Sequence, residues 1–239
     1  MGKICLFAVL SLLTTSGSVK AQPNDAEKLF LGFEKKLADA KTYKVGFDIE
    51  MTDRGETMKL KGNLLLTTGN QMRLSFSGSQ SGPGKDAEQV SGTLVSDGRQ
   101  VGMSFGPDGK AISKTEAAAD QLTAQIKGFM TKAGLFIGVE NANRAKADKG
   151  PEKLQLTGFK MGGKEKVGNA ETQIIEYTLA MPGDKETITC KLWLDTKTNL
   201  PAKRTLEGNK GGQIARVVEM YNDWQIDPKL KGDEFTLPK

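Results

Sequence analysis

From Thr42 onward the chain repeats one pattern, short runs of alternating apolar and polar residues closed by turn-forming pairs, and a chain written this way must fold as hairpins. Tyr43, Val45, Phe47, Ile49 and Met51 alternate with polar neighbours before a turn at Asp53-Arg54-Gly55. Strands are predicted at Thr57–Thr67 and Gln71–Ser77, separated by Gly69-Asn70. Ser77 to Gln89 has Gly, Ser and Pro but no apolar period, so it reads as a mobile loop. Val90–Ser96 and Gln100–Phe105 flank Asp97-Gly98, a strong hairpin signal, and Pro107-Asp108-Gly109 closes that region. Beyond Pro151 the alternation returns in Lys153–Met161, Ala170–Met181, Thr187–Asp195, Pro201–Glu207 and Gln213–Ile226. The expected turns are Gly162-Gly163, Pro182-Gly183-Asp184, Thr198-Asn199 and Gly208 to Gly212. The 28 glycines among 239 residues suit so many turns.

Hairpins in succession, without a βαβ crossover, build one antiparallel sheet. About ten to eleven strands cannot stay flat, because strand twist accumulates, so the sheet is expected to curl into an incomplete barrel. Two helices accompany it. Asn24-Asp25-Ala26-Glu27 can start a helix whose apolar face is Leu29, Phe30, Phe33, Leu37 and Ala40, reaching about Lys41. Thr115-Glu116 opens a second, inserted stretch with Leu122, Ile126, Phe129, Met130 and Ala133 on one face, ending near Gly134. Both faces need burial, and the concave side of the sheet is the place for them. The fold class read from the chain is mainly β (α+β), a half-barrel with an N-terminal and an inserted helix across its concave face.

Lys3, the apolar run Ile4–Leu13 and the small-residue site Ser18-Val19-Lys20-Ala21 read as a signal peptide, residues 1–21, cut after Ala21. Cys5 lies inside the apolar run and is not placed for lipid attachment. The mature chain, 22–239, is expected to be one exported domain. Losing Lys3 and Lys20 trims an already weak formal charge of +5. Cys190 alone survives cleavage, so no internal disulfide forms. It alternates in phase with Ile188, Leu192 and Leu194, which places it on a buried strand face.

The chain has no histidine, which excludes Ser-His-Asp and Cys-His nucleophile systems and His-ligated metals. Catalysis would fall to Asp97, Asp195, Glu219 or Asp223, with Tyr177 and Tyr221. Asp97 and Asp195 are explained by turns, and no pair of carboxylates shares one local face. No calcium-type loop is present, and the Gly-rich pieces at 162–164 and 208–212 join strands rather than leading into helices. Interspersed charges and 6% aromatic residues do not suit nucleic-acid binding. The reading is therefore a non-enzyme without cofactor or metal. Methionines at 51, 58, 72, 103 and 130 among the strand Phe and Leu residues suit an adaptable apolar surface. Its expected lining is Phe47, Ile49, Leu64, Leu66, Met72, Leu74, Phe76, Met103 and Phe105 from the sheet, with Leu122, Ile126, Phe129 and Met130 from the inserted helix. The alternative for each is an ordinary filled core.

Several segments carry a resemblance: the signal followed by Ala26–Ala40, Tyr43–Met51, Gly62-Asn63-Leu64, Leu94-Val95-Ser96-Asp97-Gly98-Arg99, Tyr221-Asn222-Asp223-Trp224 and Phe235-Thr236-Leu237-Pro238. Together they resemble the periplasmic outer-membrane lipoprotein carrier family, of LolA-like fold, over nearly all of the mature chain. The resemblance implies a periplasmic lipid or lipoprotein acyl-chain carrier with an apolar cavity, transient membrane contact and an envelope protein as donor or acceptor. As the lower-ranked alternative it implies an envelope sensor or interaction module that uses the same scaffold to bind a partner protein. The family's "KRPN" arginine pins the lid closed; Thr67-Thr68-Gly69-Asn70 stands here, with Thr68 in place of that arginine. A looser lid or a different ligand is compatible with that change.

Overall fold

Eleven strands in one antiparallel sheet make up most of what the computed structural model describes, residues 23–106, 111–116, 155–180, 187–210 and 213–238. They are β1 (Thr42–Asp53), β2 (Glu56–Thr67), β3 (Gln71–Gly82), β4 (Lys85–Asp97), β5 (Gln100–Phe105), β6 (Ala111–Glu116), β7 (Gln155–Val167), β8 (Ala170–Ala180), β9 (Thr187–Asp195), β10 (Pro201–Lys210) and β11 (Gln213–Ile226). The order across the sheet is β6-β5-β4-β3-β2-β1-β11-β10-β9-β8-β7. The chain thus walks outward from β1 to one edge, restarts at the other and walks back until β11 pairs with β1. The edges β6 and β7 stay apart, so the sheet is a curled half-barrel and not a closed barrel.

Local chemistry sets the turns. Between β1 and β2 both central residues, Arg54 and Gly55, have positive φ (51° and 81°), the geometry whose twist matches that of the flanking strands. At the β4–β5 turn the Asp97 carboxylate accepts hydrogen bonds from the Arg99 and Gln100 amides, both at 2.8 Å.

Three sequence expectations are corrected. Ser77–Gln89 is not a loop: β3 and β4 pair through it to Gly82 and Lys85, with Pro83-Gly84 as the turn. Its Ser and Gln side chains carry no apolar period because little covers either face there, and backbone pairing alone holds the ribbon. Gly162-Gly163 is not a turn but lies inside β7, where the register slips between Met161 and Lys164. The Gln173 side-chain amide donates to the Gly162 carbonyl (2.7 Å), supplying the partner that the slip withdraws. Thr115-Glu116 ends strand β6 instead of opening a helix; the remainder of the expected inserted helix, 117–134, lies outside the described residues, as does the signal segment 1–21.

Helix α1 (Asp25–Asp39) starts as expected and ends just before the expected Lys41, with Ala40 already extended. The Asn24 carboxamide accepts from the Glu27 amide (2.9 Å) and donates to the Phe159 carbonyl on β7 (2.8 Å), so one side chain caps the helix and ties it to the sheet. Lys36 reaches the Thr198 carbonyl in the β9–β10 turn at 2.6 Å. Phe30, Phe33 and Leu37 are buried, and Phe30 packs on Phe159 and Tyr177 at 5.2 and 5.0 Å between ring centroids. Asn24→Ala removes both bonds and is expected to cost about 1–2 kcal/mol in urea unfolding; an unchanged midpoint would show that the helix is held by its aromatic face alone.

Candidate functional site

Register assigns the two faces of the sheet without ambiguity. On one face a row runs Met161, Ile175, Leu192, Arg204, Glu219, Ile49, Leu60 from β7 to β2. A second runs Val45, Leu64, Leu74, Leu94, Met103 from β1 to β5. These residues, apart from the two charges and the exposed Met161, join α1 in a single apolar cluster. The other face carries Asp48, Lys61, Ser77 and Ser91 in register, a polar surface.

The nine expected lining residues within the described strands all fall on the apolar face. Phe47, Ile49, Leu64, Met72 and Leu74 are buried; Leu66, Phe76 and Met103 are half-buried; Phe105, at 39% exposure, stands at the rim. Leu122, Ile126, Phe129 and Met130 lie outside the described residues.

Alternation alone did not reveal how the rings sit. Tyr221, Phe47, Gly62, Phe76, Gly92 and Phe105 face one another across six strands, and from Phe47 onward aromatic residues and glycines alternate along the row. A Cβ at Gly62 would come within 2.7 Å of Phe47 Cζ, and one at Gly92 within 2.8 Å of Phe76 Cζ and 2.9 Å of Phe105 Cδ1. The ring edges therefore reach over the glycines, Phe76 and Phe105 meeting edge to face at 6.1 Å between centroids, and the floor of the face is an aromatic trough. Helix α1 fills the other half: its contacts with the sheet concentrate on β7 and β8, around Phe159 and Tyr177.

Two charges interrupt the apolar face. Arg204 and Glu219 are 1% and 0% exposed and stand opposite each other on β10 and β11. The guanidinium Nε donates to one carboxylate oxygen, Nη2 to the other at 3.1 Å, and Nη2 also reaches the Tyr221 hydroxyl at 3.4 Å. Glu219 is thus committed to an ion pair rather than poised as a catalytic carboxylate. The signal was present in the sequence: Arg204 alternates with Ala202 and Leu206, and Glu219 with Val217 and Tyr221.

The other acids considered for catalysis serve the backbone. Asp195 accepts from the Lys197 and Thr198 amides at 2.7 and 3.0 Å, and Asp223, at φ 52°, forms the bulge that brings both Tyr221 and Trp224 to the apolar face. Trp224 stacks obliquely on Tyr43 and Tyr221. Burial pushes the Tyr43 phenol well above its usual range, so it remains neutral beside the apolar cluster. Cys190 is buried beneath the sheet surface, as expected. Among the described residues no three His, Cys, Asp or Glu side chains gather as a metal site. On the polar face a groove of about 560 Å³ is lined by Asp48, Lys61, Asn63, Ser75, Thr93 and Ser104, and reaches the apolar side only at Phe47 and Phe76 beside the glycines.

No protein-family model matches the chain, and no curated protein matches it. The structure of LprF from Mycobacterium bovis aligns with a TM-score of 0.50 at 9% identity, covering 85% of this chain and 96% of that one. The fold is LolA-like. Pseudomonas aeruginosa MucB, solved in complex with MucA, aligns at TM-score 0.44 and 16% identity, covering 89% of this chain and 61% of that chain, so this chain spans less than two thirds of MucB. A domain assigned to outer-membrane lipoprotein sorting, from Vibrio parahaemolyticus, aligns at 0.32 and 13%, covering 89% and 97%. At the LolA-like position of the pinning arginine, Thr68 is exposed in the β2–β3 turn, and its amide donates to the Lys41 carbonyl at 2.9 Å. The Asn24 and Lys36 tethers and the packing of Phe30 on Phe159 and Tyr177 hold α1 on this LolA-like sheet. Among the described residues no helix is long and apolar enough to cross a membrane.

Proposed function

We propose that the protein is an exported, non-enzymatic carrier of apolar acyl chains, from lipoproteins or free lipids, which it holds against the β1–β5 half of the apolar face. The aromatic–glycine trough supports this reading most directly. A floor of ring edges over glycines lets an extended methylene chain lie along it, while half-buried Met103 and Met58 adapt at its sides. Each buried CH₂ is worth about 0.8 kcal/mol, so a twelve-carbon chain gains roughly 9 kcal/mol before entropy losses. No charged contact is needed for affinity of that order. The tethering of α1 over β7 and β8 adds support, because the helix itself packs away from the β1–β5 half.

The test is native mass spectrometry of the protein purified from its producing cell envelope, paired with titration of a fluorescent fatty acid. Lipid adducts and saturable uptake are expected. The bare polypeptide mass, with no uptake, would overturn the proposal.

A further inference from the structure

On the β1–β5 arm the outer face of the sheet breaks its own polar pattern at one row. Lys44, Leu65, Arg73, Val95 and Gly102 lie in register from β1 to β5, and Leu65 and Val95 are 6% and 1% exposed although they belong to the outer face and not to the main cluster. Something on the outside must cover them. The segment following β11 does. Its root is fixed at Asp227, whose carboxylate accepts from the Thr42 amide (2.9 Å) while its own amide donates to the Thr42 carbonyl (2.8 Å). Farther on, Arg73 Nη1 donates to the Glu234 carbonyl at 3.2 Å, and Leu237 and Pro238 seat against Gly102, where a Cβ would lie 2.8 Å from Pro238 Cδ and 3.4 Å from Leu237 Cδ2. Val95 stands in register between those two contact points. From β11 to β5 is five strand spacings, about 24 Å, a distance that twelve residues span readily even with a turn.

We infer that residues 227–238 form a strap across the outside of the sheet that holds the β3–β5 arm in its curvature. Helix α1 braces β7 and β8 from inside; the strap is the corresponding brace on the opposite arm, and Gly102 is the seat that only glycine leaves open. The Phe-Thr-Leu-Pro ending, residues 235–238, gains its role here, as the end that is seated. Release of the strap frees the arm, and, resting on the acyl-chain reading above, that release widens the trough to a ligand.

Gly102→Val and removal of residues 229–239 test this, alone and combined, by amide hydrogen exchange. Valine favours a strand, so on an uncovered surface it would leave β5 unharmed or firmer. Under a strap it must evict Pro238. Each change alone is expected to speed exchange in 90–105 by roughly tenfold or more while 170–180 stays protected, and adding Gly102→Val to the shortened chain is expected to do nothing further. Unchanged exchange in 90–105 after either single change, or equal acceleration across both arms, overturns the strap. Fatty-acid uptake by the same proteins separates the two claims. Faster uptake by the shortened chain supports release as the opening motion, and equal uptake by all chains removes it. Absence of uptake by every chain, the intact one included, removes the carrier reading and the opening with it, and the exchange result still decides whether the strap holds the arm.

Discussion

Arg204→Met is expected to lower the unfolding free energy by about 3–5 kcal/mol, and Glu219→Leu by a similar amount, whereas the double replacement should cost far less than either. The reason lies in where the pair sits. Both side chains are excluded from solvent on the apolar face, flanked in register by Leu192 and Ile49. Removing one partner strands a full charge among hydrocarbon, and also takes a donor from the Tyr221 hydroxyl or the acceptor from the guanidinium. Removing both strands nothing, and Met and Leu fill much of the same volume. Urea unfolding followed by the fluorescence of Trp193 and Trp224 measures all three proteins. A double variant that loses the sum of the two single costs would show that the charges act independently. The same cycle bears on specificity. Arg204 must oppose Glu219 for the bonds to form, and slipping β10 against β11 by one residue would turn Arg204 to the polar face and leave Glu219 unpaired on the apolar one, so the pair fixes the junction where the two arms of the sheet meet.

What was legible in the chain follows from which forces are local. The Thr187–Asp195 and Gln213–Ile226 strands have the bounds read from alternation, because apolar residues recur at every second position through most of each. The N-cap at Asn24 and the Asp97-Gly98 turn were readable because side chain and backbone satisfy each other within a few residues. The Ser77–Gln89 ribbon was not, since it is held by partners a hairpin away and has no apolar face to announce it. The Gly162-Gly163 pair looked like a turn; it is a slip in an edge strand, and the exposed Lys160, Lys164 and Lys166 around it, together with the irregular pairing, guard that edge against adding another strand. The lining residues from Phe47 to Met103 were found on the right face by period two, but the role of the glycines between them was invisible. Gly62 and Gly92 occupy strand positions where alternation records only a missing side chain. The pairing of those gaps with aromatic rings exists only once the register is known.

Those gaps lead to the second large effect. Gly62→Ala should cost about 3 kcal/mol or more, and Gly92→Ala only about 1, although both add a single methyl group to the same row. Neither glycine needs its conformational freedom, since neither has positive φ; the difference is in what the methyl meets. At Gly62 it collides with the Ser75 carbonyl oxygen, and lies 3.0 Å from Phe76 Cα, which are parts of the paired backbone of β3 and cannot retreat without breaking the ladder. At Gly92 its closest contacts are Phe76 Cζ and Phe105 Cδ1, the ends of two rings that are only partly buried and can rotate away, and its backbone neighbour, the Ser104 carbonyl oxygen, lies at 3.0 Å against 2.0 Å for the Ser75 oxygen at Gly62. The rotation lifts both rings off the floor of the trough. Gly92→Ala is therefore expected to stay folded, with a small shift in urea midpoint, and to bind a fluorescent fatty acid at least about fivefold more weakly, close to 1 kcal/mol. Equal destabilisation by the two substitutions would mean that the backbone yields as easily as the rings. A folded Gly92→Ala protein with unchanged affinity would place the acyl chain elsewhere on the apolar face, away from the aromatic–glycine row.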